Sequence, residues 1–374
     1  MEKVTEFPAS PVQFDTGAFI EKLSLLKAGA DKINTIAPSS GLIFFDGKHM
    51  FTFNGNVYCG TESPFDVPEQ VALSYNAIMK VLKGKNGYGE CAFAPDGSCA
   101  VFKVVGVRTE SMARVTADTT VGKLLNLPKA EPNSWKAIPD PVVFKEALKI
   151  SESVHDKSST GTSLENLHLT KEFMECGTAT QFIRAVCEVP IDNELLVLGG
   201  VLSKIAASTN LTDIQISDDG SWFLLRDGLT YFAVPVSTAE YIPDANLRLL
   251  FFPNDPDAVV LEFPDADFNK ELRDEIVRGT TFNEKEVALT LEGSTCHAVF
   301  SDVINTNQFS TTINGVKTNC TSPVKLTIVP QVLMQLLSTS EGKLNVHSHT
   351  VTVDTGAFAY VVTHFGIESP VASA

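Results

Sequence analysis

No stretch of this chain is long and apolar enough to suggest a bilayer crossing. The longest apolar run, Leu195 to Leu202, contains Gly199 and Gly200 and falls well short of the ~18 residues a spanning helix needs. The opening residues Met1-Glu2-Lys3-Val4-Thr5-Glu6 lack the basic lead and apolar run of a secretory signal, so the cytoplasm is the expected location. The seven cysteines are odd in number, scattered and never spaced as CxxC. That pattern excludes a zinc ribbon or disulfide framework and reads as reduced structural thiols. Cys99, Cys187 and Cys296 sit in apolar strand-like runs and are expected in the core, not as nucleophiles. In such a compartment the sequons at Asn210 and Asn319 carry no meaning. The sequence also has no GxxxxGK[ST] loop and no strand-borne GxGxxG, the two patterns that cradle nucleotide phosphates.

Catalytic groupings are equally scarce. Asp218-Asp219-Gly220 and Asn254-Asp255-Pro256-Asp257 carry carboxylates, but Asp and Asn beside Gly or Pro ordinarily cap their own turn. His347 and His349 stand two apart, so on one strand they would share a face and could meet a metal. No third ligand lies near them in sequence, and surface or edge histidines are the plainer reading. No metal, no cofactor and no enzymatic activity are expected. A hydrolase built on the dismissed carboxylates is the reading set aside here.

Repetition is what the chain does have. Apolar residues at helical spacing occupy 72–83, and Gly84, Gly87 and two strand-like runs around Pro95-Asp96-Gly97-Ser98 follow. The order returns from Leu195 to Thr209, then Asp213 to Ser217, the turn Asp218-Asp219-Gly220-Ser221, and Trp222 to Val236. It returns again from Val324 to Leu337, then Lys343 to Val353, the turn Asp354-Thr355-Gly356, and Ala357 to Phe365. A second helical pattern starts at 15, 141 and 267, a step of 126 residues each time. A step of that size is a small domain, not a solenoid unit. Its apolar faces are Phe19, Leu23 and Leu26, then Phe144, Ala147 and Leu148, then Phe268, Leu272 and Ile276. Prolines cluster at 128–141 and 253–264, where they suit inter-domain joints. The expected domains are 11–136, 137–262 and 263–374. Strand-like alternation at Leu42–Phe53, Leu164–Leu169, Cys187–Val189 and Leu344–Val353 completes an α+β reading, with helices on one face of mostly antiparallel sheet.

This combination resembles the bacterial DNA polymerase sliding clamp, the β-subunit family, over roughly residues 12–365. The likeness rests on the threefold repeat, Thr178-Ala179-Thr180-Gln181-Phe182-Ile183-Arg184-Ala185-Val186-Cys187, Tyr241-Ile242-Pro243-Asp244 and Ala359-Tyr360-Val361-Val362. The chain departs from the family pattern in three places. The turn lacks Asp-Gly-His-Arg, Tyr241-Ile242 replaces an aromatic-Pro lead, and Gly366 to Ala374 extends past the usual end. The divergence fits a phage-encoded member acting in a bacterial cytoplasm or nucleoid.

The resemblance implies a clamp fold of three similar domains, each of two strand–helix–strand half-units. Helices would line the hole and sheets would face out, with two copies closing head to tail around duplex DNA. Partners would be double-stranded DNA, held without sequence preference, a replicative polymerase and a clamp loader. It also implies a dimer contact between an edge strand around Ala100–Val107 and the partner's Ile276–Phe282, and lumen contacts at Lys32, Lys80, Lys83, Lys149, Lys157 and Lys204. A peptide pocket would take Leu164, Ala179, Phe182, Ile183 and Arg184, then Pro243 and Leu247, then Thr350, Val361, Val362, Thr363 and Phe365. The tail from Gly366 is a candidate cover for that pocket.

A formal charge of −16 looks wrong for a DNA partner, since lysine and arginine supply most non-specific affinity. Across the six helical segments 15–28, 72–83, 141–154, 199–209, 267–278 and 330–337, however, ten basic residues outnumber eight acidic ones. The acidity therefore lies outside the helices, and weak contacts indifferent to base identity are what a sliding ring needs. Lys80 and Lys83 fall on one helical face with Asn76, opposite Leu73, Ala77 and Val81, and Lys145 and Lys149 share a face. The alternative is an acidic repeated-domain virion or scaffold protein that encircles no DNA.

Overall fold

A computed structural model of the chain describes residues 11–30, 39–94, 97–106, 108–118, 127–154, 166–178, 180–243, 246, 258–263, 266–302, 307–319, 322–339, 343–347, 349–363 and 367–368. By contact density they fall into two compact units. One is Met1–Lys149, Leu169–Lys171 and Glu188–Thr238; the other is Ile150–His168, Glu172–Cys187 and Ala239–Ala374.

The first unit begins with β1 (Val12–Asp15), α1 (Thr16–Leu25), α2 (Lys27–Ala30), β2 (Leu42–Phe53), β3 (Tyr58–Ser74) and α3 (Tyr75–Leu82). Then come β4 (Tyr88–Phe93), β5 (Cys99–Val105), β6 (Glu110–Asp118), β7 (Lys136–Ala137) and α4 (Pro141–Ser151), whose last turn enters the other unit. Asp15 accepts from Ala18 N at 2.7 Å and Ser74 from Ala77 N at 3.3 Å, and these caps fix where α1 and α3 start. The expected helix from 72 thus begins only at Tyr75, because 72–74 finish β3. Its buried stripe is Tyr75, Ile78 and Leu82, while Ala77 and Val81 are half-buried. Phe19, Leu23 and Leu26 are buried as the periodicity predicts. Phe14, Phe19, Phe65 and Phe102 meet edge to face around them, with centroids 5.2 to 6.5 Å apart.

Strand β1 pairs with β4, β4 with β5 and β5 with β6, all antiparallel. The expectation of an edge strand at Ala100–Val107 is therefore corrected: β5 is paired on both sides. The open edge belongs to β6, which meets β3 only at its far end, through Asp118 and Ala117.

After β8 (Asn166–Leu169), β9 (Phe173–Gly177) and β10 (Gln181–Val186), the chain returns to the first unit. It does so as β11 (Leu195–Leu198), α5 (Leu202–Ala207), β12 (Asp213–Ile216), β13 (Trp222–Asp227) and β14 (Thr230–Ser237). The expected helix from 195 is thus a strand, a Gly-Gly break and a short helix. The expected strand at Cys187–Val189 lies past the end of β10. Asp218-Asp219-Gly220 is a turn, as expected: Gly220 has φ 70°, a left-handed conformation that suits glycine. Asp219 accepts from Ser217 Oγ at 2.6 Å and Ser221 N at 3.0 Å. Those bonds hold the Asp219 carboxyl down at about 2.

Strand β14 continues into β3, pairing Tyr231 with Gly60, Phe232 with Cys59 and Ala233 with Tyr58. The Thr61 and Thr230 hydroxyls meet at 2.8 Å, and Tyr231 Oη donates to Tyr58 Oη at 2.8 Å. An apolar cluster that includes Phe51, Phe53, Tyr58 and Leu224 lies at this junction, and Leu127, Ala130 and Trp135 of the following linker pack on it. Gln215 fastens that linker with two bonds to the Glu131 backbone, 3.1 Å from its N–H and 2.9 Å to its carbonyl.

The second unit adds β15 (Val259–Glu262), α6 (Ala266–Thr280), β16 (Val287–Glu292), β17 (Thr295–Asp302), β18 (Asn307–Asn314), β19 (Lys317–Thr318) and β20 (Val324–Ile328). It ends with α7 (Pro330–Thr339), β21 (Lys343–Val346), β22 (Thr350–Asp354), β23 (Phe358–Thr363) and β24 (Ile367–Glu368). Phe268, Leu272 and Ile276 are the buried face of α6. One sheet runs β18-β17-β16-β20-β24. One edge of that sheet is β18, and Phe282, within the expected contact region Ile276–Phe282, stacks on Phe309 of that edge at 5.5 Å. The tail is also corrected as a pocket cover: its described residues, Ile367 and Glu368, pair with Leu326 and Lys325 of β20.

In the other sheet β9 pairs with β10, β10 with β23, β23 with β22, β22 with β21 and β21 with β15. The expected run Leu344–Val353 is therefore a hairpin. It turns at His347, whose N–H donates to Thr350 O at 2.7 Å. No described helix is long and apolar enough to cross a membrane.

Candidate functional site

Register decides which of the expected pocket residues meet. Phe182 is opposite Val361, Ile183 opposite Tyr360, and Arg184 opposite Ala359. Thr352 is opposite Val361, and Thr350 opposite Thr363. Directly opposed residues share a face and neighbours along a strand do not. Phe182, Arg184, Thr350, Val361 and Thr363 therefore lie on one face. Ile183 and Val362 lie on the other, both 0% exposed, and this corrects their assignment to the pocket: they are core. Leu164, Ala179, Leu247 and Phe365 lie outside the described residues. Pro243 is described and exposed.

On the shared face Phe182, Ala359 and Val361 form an apolar cluster, and Tyr241 and Ile242 pack directly against it. Gly177 makes room for the Phe182 ring: a Cβ there would stand 2.3 Å from Phe182 Cδ1, so only glycine fits opposite this phenylalanine.

A buried ionic group continues the same face. Glu175 is 2% exposed and accepts from Arg184 Nε through Oε1, with His168 Nδ1 3.0 Å from Oε2. The Arg184 guanidinium also lies 4.2 Å over the Phe173 ring, a favourable cation–π placement. The His168 ring sits 4.1 Å from that of Tyr241. Burial, then the nearby Glu175 charge, pushes the Tyr241 phenol well above its usual range, so it stays protonated. Its Oη is shielded from solvent and has no hydrogen-bond partner among the described residues. Sequence reasoning missed Tyr241, Ile242, Ala359, Glu175 and His168 as neighbours of Phe182. One signal was available: Glu175 is a charged residue within the apolar run Phe173-Met174-Glu175-Cys176, and a charge so placed needs a partner.

Lys80, Lys149 and Lys204 sit on helices and face water, as does Lys83 just past the end of α3. Lys80 and Lys83 line a cavity of about 360 Å³ with Ile20, Asn76, Met79 and Gly84, which puts Asn76 and both lysines on one face as the spacing predicts. Lys149 on α4 and Lys204 on α5 are exposed. Lys145 Nζ is tied back to Thr209 O at 3.4 Å. Lys32 and Lys157 lie outside the described residues.

The histidine expectation is corrected. His347 is buried at the β21–β22 turn with Nε2 3.0 Å from Thr352 Oγ1, and His349 lies within that turn, so neither is on a strand. Among the described residues no three metal-binding side chains come together. The six described cysteines are buried, and burial pushes the Cys296 thiol up to about 12, so it stays protonated at neutral pH.

No family profile matches the chain, and no curated protein matches it in sequence. Solved structures do match in fold. The DNA polymerase III subunit beta from Pseudomonas aeruginosa aligns with a TM-score of 0.75 at 11% identity, over 96% of this chain and 100% of that one. The beta subunit of DNA polymerase of Streptococcus pyogenes aligns at 0.75 and 12%, over 95% and 99%. The DNA polymerase sliding clamp from Caulobacter crescentus aligns at 0.76 and 14%, over 96% and 100%. The fold is that of the bacterial sliding clamps, end to end.

Proposed function

We propose that this chain is a DNA polymerase processivity factor: two copies close head to tail around duplex DNA and tether a replicative polymerase, catalysing nothing themselves. The observation that carries this is the fold likeness over 95% or more of the chain. On this reading the three repeats are the domains 11–136, 137–262 and 263–374. Lys32, Lys80, Lys83, Lys149, Lys157 and Lys204 face the DNA, and the face of Phe182, Arg184 and Val361 takes peptides from the polymerase and the clamp loader. Action in a bacterial cytoplasm follows from those partners, and the low identity to the solved clamps fits a phage-encoded member.

Closure draws support from the strand order. Two of the three-strand meanders end in strands that pair with the last strand of another hairpin, β14 with β3 and β10 with β23. Among the described residues β6 meets β3 only through Ala117 and Asp118 and β18 pairs with β17 alone, and an unpaired edge is a template for strand addition. Pairing β6 of one copy with β18 of the next repeats the same junction twice and closes the assembly.

The test is primer extension on a long primed circle with a cognate polymerase and loader. The expected result is longer products per binding event when the protein is present. Product lengths that do not change with the protein would remove the proposal.

A further inference from the structure

We propose that Tyr241 and Ile242 are a displaceable internal plug, occupying in the free chain the apolar face that a partner peptide takes. This rests on the reading of that face as the partner site. Phe182 and Ala359 are each 8% exposed and Val361 2%, although they form the proposed docking surface, because Tyr241 and Ile242 lie on them. A partner can reach the surface only by replacing that pair.

The other junction shows what a permanent cover looks like. There Leu127, Ala130 and Trp135 cover the cluster beside β14 and β3. Gln215, 3% exposed, clamps the same linker through both backbone groups of Glu131. Trp135 is held further by the Arg226 guanidinium 4.7 Å over its ring. The Tyr241 side chain has apolar contacts and a tilted ring contact with His168, but its hydroxyl is buried and unsatisfied among the described residues, which is a cost and not an anchor. The seat beneath is fixed, since Glu175 holds both His168 and Arg184. A rigid seat under a weakly held cover favours exchange of the cover. The occupant that fits is an extended peptide with an aromatic side chain followed by a branched aliphatic one. A phenylalanine would fit better than a tyrosine, because it brings no hydroxyl to bury.

The experiment uses the full chain and two acetylated, amidated hexapeptides as probes. One copies residues 239–244, Ala-Glu-Tyr-Ile-Pro-Asp; the other has Phe in place of Tyr. The double variant Tyr241→Ala with Ile242→Ala is expected to bind the first at least tenfold more tightly than the wild-type chain, and the Phe peptide more tightly still. Equal affinity for both chains, or no binding to a double variant that keeps its circular dichroism and size, would overturn the plug. Should that variant not fold, Tyr241→Phe decides. Its melting temperature is expected to hold or rise, because the lost hydroxyl had no partner, and its affinity for the Phe peptide to fall. A lower melting temperature would overturn the proposal. Tight hexapeptide binding without any gain in primer-extension length would keep the plug and remove the tether.

Discussion

Glu175 shows how much a single buried side chain can decide. Its two carboxylate oxygens meet Arg184 and His168, so the Arg184 guanidinium does not lie in the sheet uncompensated. The pair is not evidence of unusual stability, because removing two charges from water offsets most of their attraction. Breaking it is another matter. Glu175→Gln leaves the Arg184 guanidinium, 12% exposed, without its counter-charge, and the expected loss is about 3 kcal/mol of folding stability. Urea denaturation measures it, and a loss below about 1 kcal/mol would show that Arg184 finds water or another partner. The same change would free His168, whose ring lies 4.1 Å from that of Tyr241, so the proposed plug and its seat would both depend on one carboxylate. That charge was visible in the sequence as an acidic residue in an apolar run. Its partners were not, because they come from two other strand positions that only folding brings together.

At the scale of elements, helix faces were legible because their periodicity lies within a dozen residues. Phe144, Ala147 and Leu148 are buried just as the spacing requires. Strand edges were not legible. Whether β5 or β6 ends a sheet depends on its partners, and an edge strand can carry the same alternation as an inner one. The hairpin at His347 was hidden because its turn has no glycine or proline. Ile183 and Val362 were misplaced because positions were carried over as a run, while a strand sends alternate residues to opposite faces.

The observed junction also sets a register for the proposed dimer. Phe182 and Ala359 are the first residues to pair across their own hairpins, opposite Gly177 and Asp354. Between the hairpins Phe182 meets Val361 and Arg184 meets Ala359, so each first residue faces the one two places beyond the other's first. Strands β6 and β18 begin likewise, at Glu110 opposite Val105 and at Asn307 opposite Asp302. The same rule puts Glu110 against Phe309, Ser111 against Gln308 and Met112 against Asn307 of a second copy. Ser111→Cys combined with Gln308→Cys is expected to give a covalent dimer on mild oxidation. Met112→Cys with Gln308→Cys is expected not to, since a slip of one residue reverses the faces. A non-reducing gel distinguishes them, and cross-linking in both or in neither would sink the register.

For the whole molecule, on the proposed reading, the charge of −16 and the exposed lysines would make DNA retention a matter of enclosure more than adhesion. Replacing Lys80 and Lys83 by alanine is expected to lower the salt slope of retention on nicked circles by about one per lysine, with retention at low salt nearly unchanged. Filter binding across a salt series reads that slope, and loss of all retention would mean that contact, not closure, holds the DNA. The two free strands β6 and β18 have one more consequence. If the proposed β6–β18 pairing holds, such a chain is in a polymer chemist's terms a bifunctional monomer, with one reactive end of each kind. Bifunctional monomers cyclise when dilute and grow into linear chains when crowded, and they do not branch. Strand β24, laid along β20, would then hold that valence at two by covering part of another edge. Concentration alone would then shift this chain between closed rings and open filaments, and deleting the last eight residues would be the step that allows a gel.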